Sequence, residues 1–106
     1  MPAPINDLLA ELKSRLTSLY GVRLKSLFLY GSYARGDQQS ESDIDVLIVL
    51  DRVVRYTQEI ELTSELISEL SLKYHRSISR MFVTEEDWKN RDTPFLANVR
   101  EEAVIA

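Results

Sequence analysis

Apolar residues recur at steps of three and four from Ile5 through Leu8, Leu9, Leu12 and Leu16 to Leu19, so residues 5–20 are expected to form an amphipathic helix. Gly21 follows at once, where a helix C-terminus favours a residue free to turn left-handed. The pattern then changes to two short apolar runs, "LKSLFLY" (24–30) and "DIDVLIVL" (43–50), which read as strands. The helical period returns with Tyr56, Ile60, Thr63, Ile67, Leu70 and Tyr74, and leaves Glu61, Glu65 and Glu69 on the wet side. "SISRMFVT" (77–84) reads as a third strand. Thr84 then caps a turn opened by Glu85, Glu86 and Asp87, and Thr93-Pro94 opens a last short helix through "FLANVREEA". The state of "DRVVRYT" (51–57) is left open.

This order predicts one α/β (α+β) domain over residues 1–106, with a small mixed or antiparallel sheet of about three strands flanked by helices. The first two strands are expected to be antiparallel. The 12 residues between them are close to the lower limit for a parallel crossover. Antiparallel pairing also brings the end of the first strand beside the start of the second.

Composition narrows the function classes. The chain has 106 residues, 44% apolar and 28% charged, with a net charge of −4. A general nucleic-acid surface needs a basic excess and is not expected. The start "MPAPINDLLAEL" has neither the basic region nor the apolar run of a signal peptide, and no stretch approaches the ~20 apolar residues of a membrane span. Without cysteine there is no disulfide framework and no thiolate metal site. A cytoplasmic location is the expectation.

The candidate chemistry lies in residues 29–50. Gly31 and Gly36 bound a loop after the first strand, and Ser32 follows Gly31 directly. Such a turn can aim backbone N–H groups and a hydroxyl at one point, as phosphate sites do. Arg35 adds a guanidinium fork suited to phosphate oxygens. Asp43 and Asp45 then open the next strand. Side chains alternate along a strand, so the two carboxylates share a face roughly 7 Å apart, with Ile44 and Val46 directed to a core. Two carboxylates on one face suit a hard cation such as Mg²⁺, held together with substrate phosphates and water. Each of these residues alone is ordinary turn chemistry; the joint pattern carries the argument.

Gly31, Ser32, Asp43 and Asp45 resemble the signature of the nucleotidyltransferase superfamily that includes DNA polymerase β: Gly-Ser, a short helix, then Asp-x-Asp on the next strand. The short length, "GSYARG" and the ending "PFLANVREEAV" look most like the minimal nucleotidyltransferases, often encoded beside a helical HEPN protein as an antitoxin–toxin pair. The resemblance implies a nucleotidyltransferase fold, with catalytic Asp43 and Asp45 binding Mg²⁺ or Mn²⁺, and with Gly31, Ser32 and Arg35 at the triphosphate of ATP. It further implies transfer of AMP to a hydroxyl of the HEPN-type toxin. One family feature is missing. A third carboxylate usually stands on a later strand, and neither face of "SISRMFV" offers one. Ser77 is the expected position for it, with Ser79 as the alternative.

The remaining candidates read as structure. His75, the single histidine, is expected at a surface or strand edge; Trp88, Phe82 and Tyr74 in the core; Tyr33 in packing; Arg76 and Arg80 in solvent. No G-x-x-x-x-G-K-[ST] phosphate loop is present. Two function classes follow: a Mg²⁺-dependent protein adenylyltransferase, or a catalytically degenerate domain that neutralises its partner by binding alone. An antibiotic-modifying transferase fits less well, since nothing here resembles a second domain to hold a sugar.

Overall fold

The computed structural model describes residues 3–36 and 42–106. Helix α1 (Ala3–Tyr20) leads through a 3-10 turn (Gly21–Arg23) into β1 (Leu24–Tyr30). A single helical turn, α2 (Ser32–Arg35), precedes β2 (Ile44–Leu50). The long helix α3 (Tyr56–Tyr74) is followed by β3 (Ile78–Thr84), α4 (Glu85–Asn90), α5 (Pro94–Glu102) and β4 (Val104–Ile105). The helix boundaries follow their caps. Gly21 has φ 56° just past α1, and the hydroxyls of Thr84 and Thr93 accept from the N–H groups of Asp87 and Leu96. His75 closes α3 with φ 54° and is exposed, a C-cap rather than a ligand.

The sheet has four strands in the order β3-β2-β1-β4. β1 and β2 are antiparallel, running from Leu24 opposite Leu50 to Tyr30 opposite Asp45. β2 and β3 are parallel, with α3 as their crossover, so the sheet is mixed. The fourth strand corrects the expected count of about three: Val104 and Ile105 add to β1 opposite Leu29 and Phe28.

Alternation along the strands divides the core. Leu27 and Leu29 of β1, and Ile44, Val46, Ile48 and Leu50 of β2, pack against α1 and α3. On the other face Tyr30, Leu47 and Val49 meet Val99 of α5, with Trp88 of α4 beside them. Every β2 residue except Asp45 is at most 1% exposed. Burial of such side chains contributes roughly 1.5–3 kcal/mol each, so Asp45 rides on the best-anchored strand of the fold.

Candidate active site

The antiparallel β1–β2 ladder brings the glycine turn and the aspartates to the same end of the two central strands, as expected. Gly31 caps α2 with φ 77° and ψ −155°, a region that side chains avoid. Its backbone lies against Asp45, whose Cγ would be 3.2 Å from a Cβ placed at residue 31. Glycine is therefore required twice over, by the backbone angles and by the close approach. The turn is closed by the Arg35 N–H donating to the Gly31 carbonyl at 3.1 Å, and Gly36 leaves it with φ 80°. Tyr33 is buried in the main core and pins the turn from below.

Gly31, Ser32, Arg35 and Asp45 line one cavity of about 810 Å³, together with Tyr30 and residues of α5 from Phe95 to Glu102. Asp43 stands one residue before β2 and is exposed at this end of the strands. Among the described residues no donor is hydrogen-bonded to the Asp45 carboxylate. Its pKa is raised, chiefly by burial and then by the like charge of Asp43, against the opposing pull of Arg35. Tyr30 stays a neutral phenol, its pKa pushed up to about 12 by burial and by Asp45. A half-buried carboxylate with no hydrogen-bond donor among the described residues, beside a second one, is a candidate for a hard-cation site, since such an ion takes carboxylate oxygens as ligands. Among the described residues no third acidic or imidazole side chain joins them in a ready-made cluster.

Register places the two serines considered for a third carboxylate. Asp45 pairs with Ser79 across the parallel β2–β3 ladder, and both lie on the face of Leu47 and Met81. Ser77 lies just before β3, its carbonyl accepting from the Ile44 N–H at 2.9 Å. Both serines are exposed, and Ser79 is the neighbour of Asp45.

Three readings need amending, those of Arg80, Trp88 and Tyr74. Arg80 is not simply solvated: it crosses to α3, donating from Nε to Thr63 Oγ1 at 2.7 Å and from Nη2 to the Ile60 carbonyl at 2.9 Å. Trp88 is half-buried rather than central, stacked against Phe28 with ring centroids 4.7 Å apart and lying under Arg100. Phe82 and Tyr33 are buried as expected, whereas Tyr74 sits at the edge of the core with its hydroxyl on Glu11.

One residue of the site escaped the sequence reading. Glu102 Oε1 accepts the Gly31 N–H at 3.1 Å, and Oε2 accepts from Arg35 Nη1 at 3.0 Å. Glu102 closes α5, and the β1–β4 register, continued by two residues, sets it opposite Gly31. The signal was the two-residue β4, which is too short for hydrophobic periodicity to reveal.

A four-stranded mixed sheet carries a glycine-serine turn and an acidic strand start together at the ends of its two central strands. Residues 9–105 match the model of the nucleotidyltransferase domain family, and the chain belongs to that family of enzymes. A relative from Methanocaldococcus jannaschii, named "Putative protein adenylyltransferase", is 38% identical over 96 residues, covering 90% of each chain. Among solved structures, a "putative nucleotidyltransferase from Sulfolobus solfataricus" superposes with a TM-score of 0.65 at 21% identity, covering 96% of this chain and 80% of that one. A toxin–antitoxin crystallised with AMP-PNP gives 0.63 at 20% identity, covering 90% and 69%. At these identities the two structures speak for the fold.

Proposed function

We propose that this chain transfers AMP from ATP to a hydroxyl group of a partner protein, the hydroxyl oxygen losing its proton and bonding the α-phosphorus as the α–β anhydride bond breaks and pyrophosphate leaves, and that it is the antitoxin of a HEPN/MNT-type pair acting in the cytoplasm as one domain. The observation that carries the reading is the convergence of Gly31, Ser32, Arg35 and Asp45 on one cavity. In this reading the Gly31 turn, the Ser32 hydroxyl and the Arg35 guanidinium hold the triphosphate. The burial of Tyr33 and the register of β1 fix the backbone of this turn before any ligand arrives. Asp43 and Asp45 hold Mg²⁺ or Mn²⁺. Such ions stabilise charge on the transferring phosphoryl group and lower the acidity threshold of the attacking hydroxyl. The cavity opens to solvent between the ends of the central strands and α5, where an acceptor on another protein can reach it. The adenylyltransferase name of the relative and the toxin–antitoxin among the fold neighbours support that class of acceptor.

The second reading, neutralisation by contact alone, draws on Ser79, a hydroxyl where the family usually has a carboxylate. Co-expression with a neighbouring HEPN-like protein separates the two. Intact mass should show the partner heavier by one or more AMP units when ATP and Mg²⁺ are present. A stable complex of unmodified mass would establish the second reading instead.

A further inference from the structure

We propose that Glu102 is an internal competitor for the triphosphate, a built-in anion that an entering phosphate must displace from the cavity. The inference rests on the reading of Gly31, Ser32 and Arg35 as the triphosphate cradle, and assigns to that cradle a residue that competes with its ligand.

The Glu102 carboxylate already holds two donors of the cradle, the Gly31 N–H at 3.1 Å and Arg35 Nη1 at 3.0 Å. Carboxylate and phosphate oxygens are interchangeable acceptors for an N–H and a guanidinium. An entering phosphate must therefore displace Glu102 or accept the donors left over. The hold is releasable. The Glu102 side chain is 24% exposed and lines the cavity, so an incoming anion reaches it directly. It is also the last residue of α5, where the helix dipole presents its negative end and disfavours a carboxylate. Nothing but the two donors is recorded against its oxygens among the described residues.

The charges around the cavity set the consequence. Arg35 is its lone lining cation among the described residues, facing Asp45, Glu101 and Glu102. A bare polyphosphate must break the Glu102 contacts and also approach Asp45. A polyphosphate bearing a divalent cation brings a partner for Asp45, which leaves only the Glu102 exchange. The Glu102 exchange is thus common to both ligands, and the metal-free one isolates it from any contribution of a bound cation.

Metal-free calorimetry tests this, using inorganic tripolyphosphate in the presence of a chelator. Glu102→Ala should bind it at least about fivefold more tightly than the unaltered chain, because one competing charge is removed. Glu102→Gln should fall between, since its carbonyl still accepts the Gly31 N–H but carries no charge for Arg35. Thermal melts confirm that each variant is folded, and the isosteric Gln variant carries the test should Ala not fold. Arg35→Ala, run alongside, should weaken binding. If Arg35→Ala weakens binding while both Glu102 variants bind equally or less well, Glu102 is a structural staple and the inference is overturned, with the cradle intact. Unchanged binding in Arg35→Ala overturns the cradle itself, and no detectable binding in any Glu102 variant overturns the competitor.

Discussion

Both ends of the β1–β2 ladder carry a carboxylate away from open water, and the chain treats the two in opposite ways. Glu59 belongs to the end where Leu24 meets Leu50; Asp45 sits at the other, opposite Tyr30. Glu59 is 3% exposed and fully answered: the Tyr20 hydroxyl donates to Oε1 and Arg23 Nη2 donates to Oε2, each at 2.9 Å. Arg23 is itself tied to Asp51 Oδ1 and to the Arg52 carbonyl. Asp45, by contrast, accepts no hydrogen bond among the described residues and has a carboxylate for its neighbour. A carboxylate satisfied by its own chain holds helices and strands together. One left in electrostatic deficit on the most buried strand weakens the fold locally and invites a cation. The same side chain chemistry is thus structural at one end and, in the proposed function, catalytic at the other.

The sharpest way to break this comparison is to make the same change at both ends. Asp43→Asn with Asp45→Asn should abolish AMP transfer, by roughly three orders of magnitude, the several kcal/mol a bound ion supplies to the reacting charge. Urea melts of that variant should show no loss of stability, because a like-charge repulsion has been removed. Glu59→Gln should do the reverse, losing about 1–3 kcal/mol of stability with kcat unchanged in the folded fraction. Equal stability losses at the two ends would mean that Asp45 is as well satisfied as Glu59, and the distinction drawn here would fail.

Gly31→Val acts on the contact between turn and acid. The new side chain would meet the Asp45 carboxylate and demand a backbone conformation that only glycine adopts readily. The backbone conformation alone should cost about 1–3 kcal/mol of stability, and ATP binding followed by calorimetry should vanish in a still folded protein. A Gly31→Val protein that binds ATP normally would reduce the turn to a mere connection.

These two ends were unequally legible in the sequence. Gly31, Ser32, Asp43 and Asp45 announce themselves because glycine and aspartate are out of place beside apolar strands, and a local pattern suffices to see them. The antiparallel pairing followed from a 12-residue connection. Glu59 was invisible: it sits in α3 among Glu61, Glu65 and Glu69, which are exposed, and only the packing of Tyr20 and Arg23 sets it apart. Glu102 was hidden for a related reason. Two glutamates end α5, and the register of a two-residue strand, not any property of the helix, brings one of them to Gly31. The parallel course of β3 likewise needed the fold, since periodicity carries no strand direction. Local signals find residues that violate their surroundings; residues defined by long-range partners need the partners placed.

Restoring an acid sharpens the catalytic end. Ser79 is the register neighbour of Asp45, so Ser79→Asp is the variant of choice, ahead of Ser77→Asp. It should raise the transfer rate by about tenfold, since a carboxylate there strengthens the hold on the ion beside the attacking hydroxyl. ATP affinity should change little, because the triphosphate keeps Gly31, Ser32 and Arg35. Slower transfer in both serine variants, beside a fast parent, would show that the site is completed from elsewhere, the partner protein included.

The smallest effect tests the structural end with a single atom. Tyr20→Phe removes the hydroxyl that donates to Glu59 and nothing else of the ring, which is 5% exposed and packed in the main core. Burial, and after it the bond to Glu59, pushes the phenol pKa well above its ordinary value, so the hydroxyl keeps its donor proton at neutral pH. Its loss leaves Glu59 with Arg23, which is part-exposed and salt-bridged also to Asp51. The cost should be about 1 kcal/mol in urea melts, smaller than that of Glu59→Gln because the charge pair survives. A double-mutant cycle with Glu59→Gln should then show coupling, since the hydroxyl's value depends on the carboxylate it serves. Additive losses would place the Tyr20 contribution in ring packing alone, and the satisfied end of the ladder would rest on Arg23 by itself.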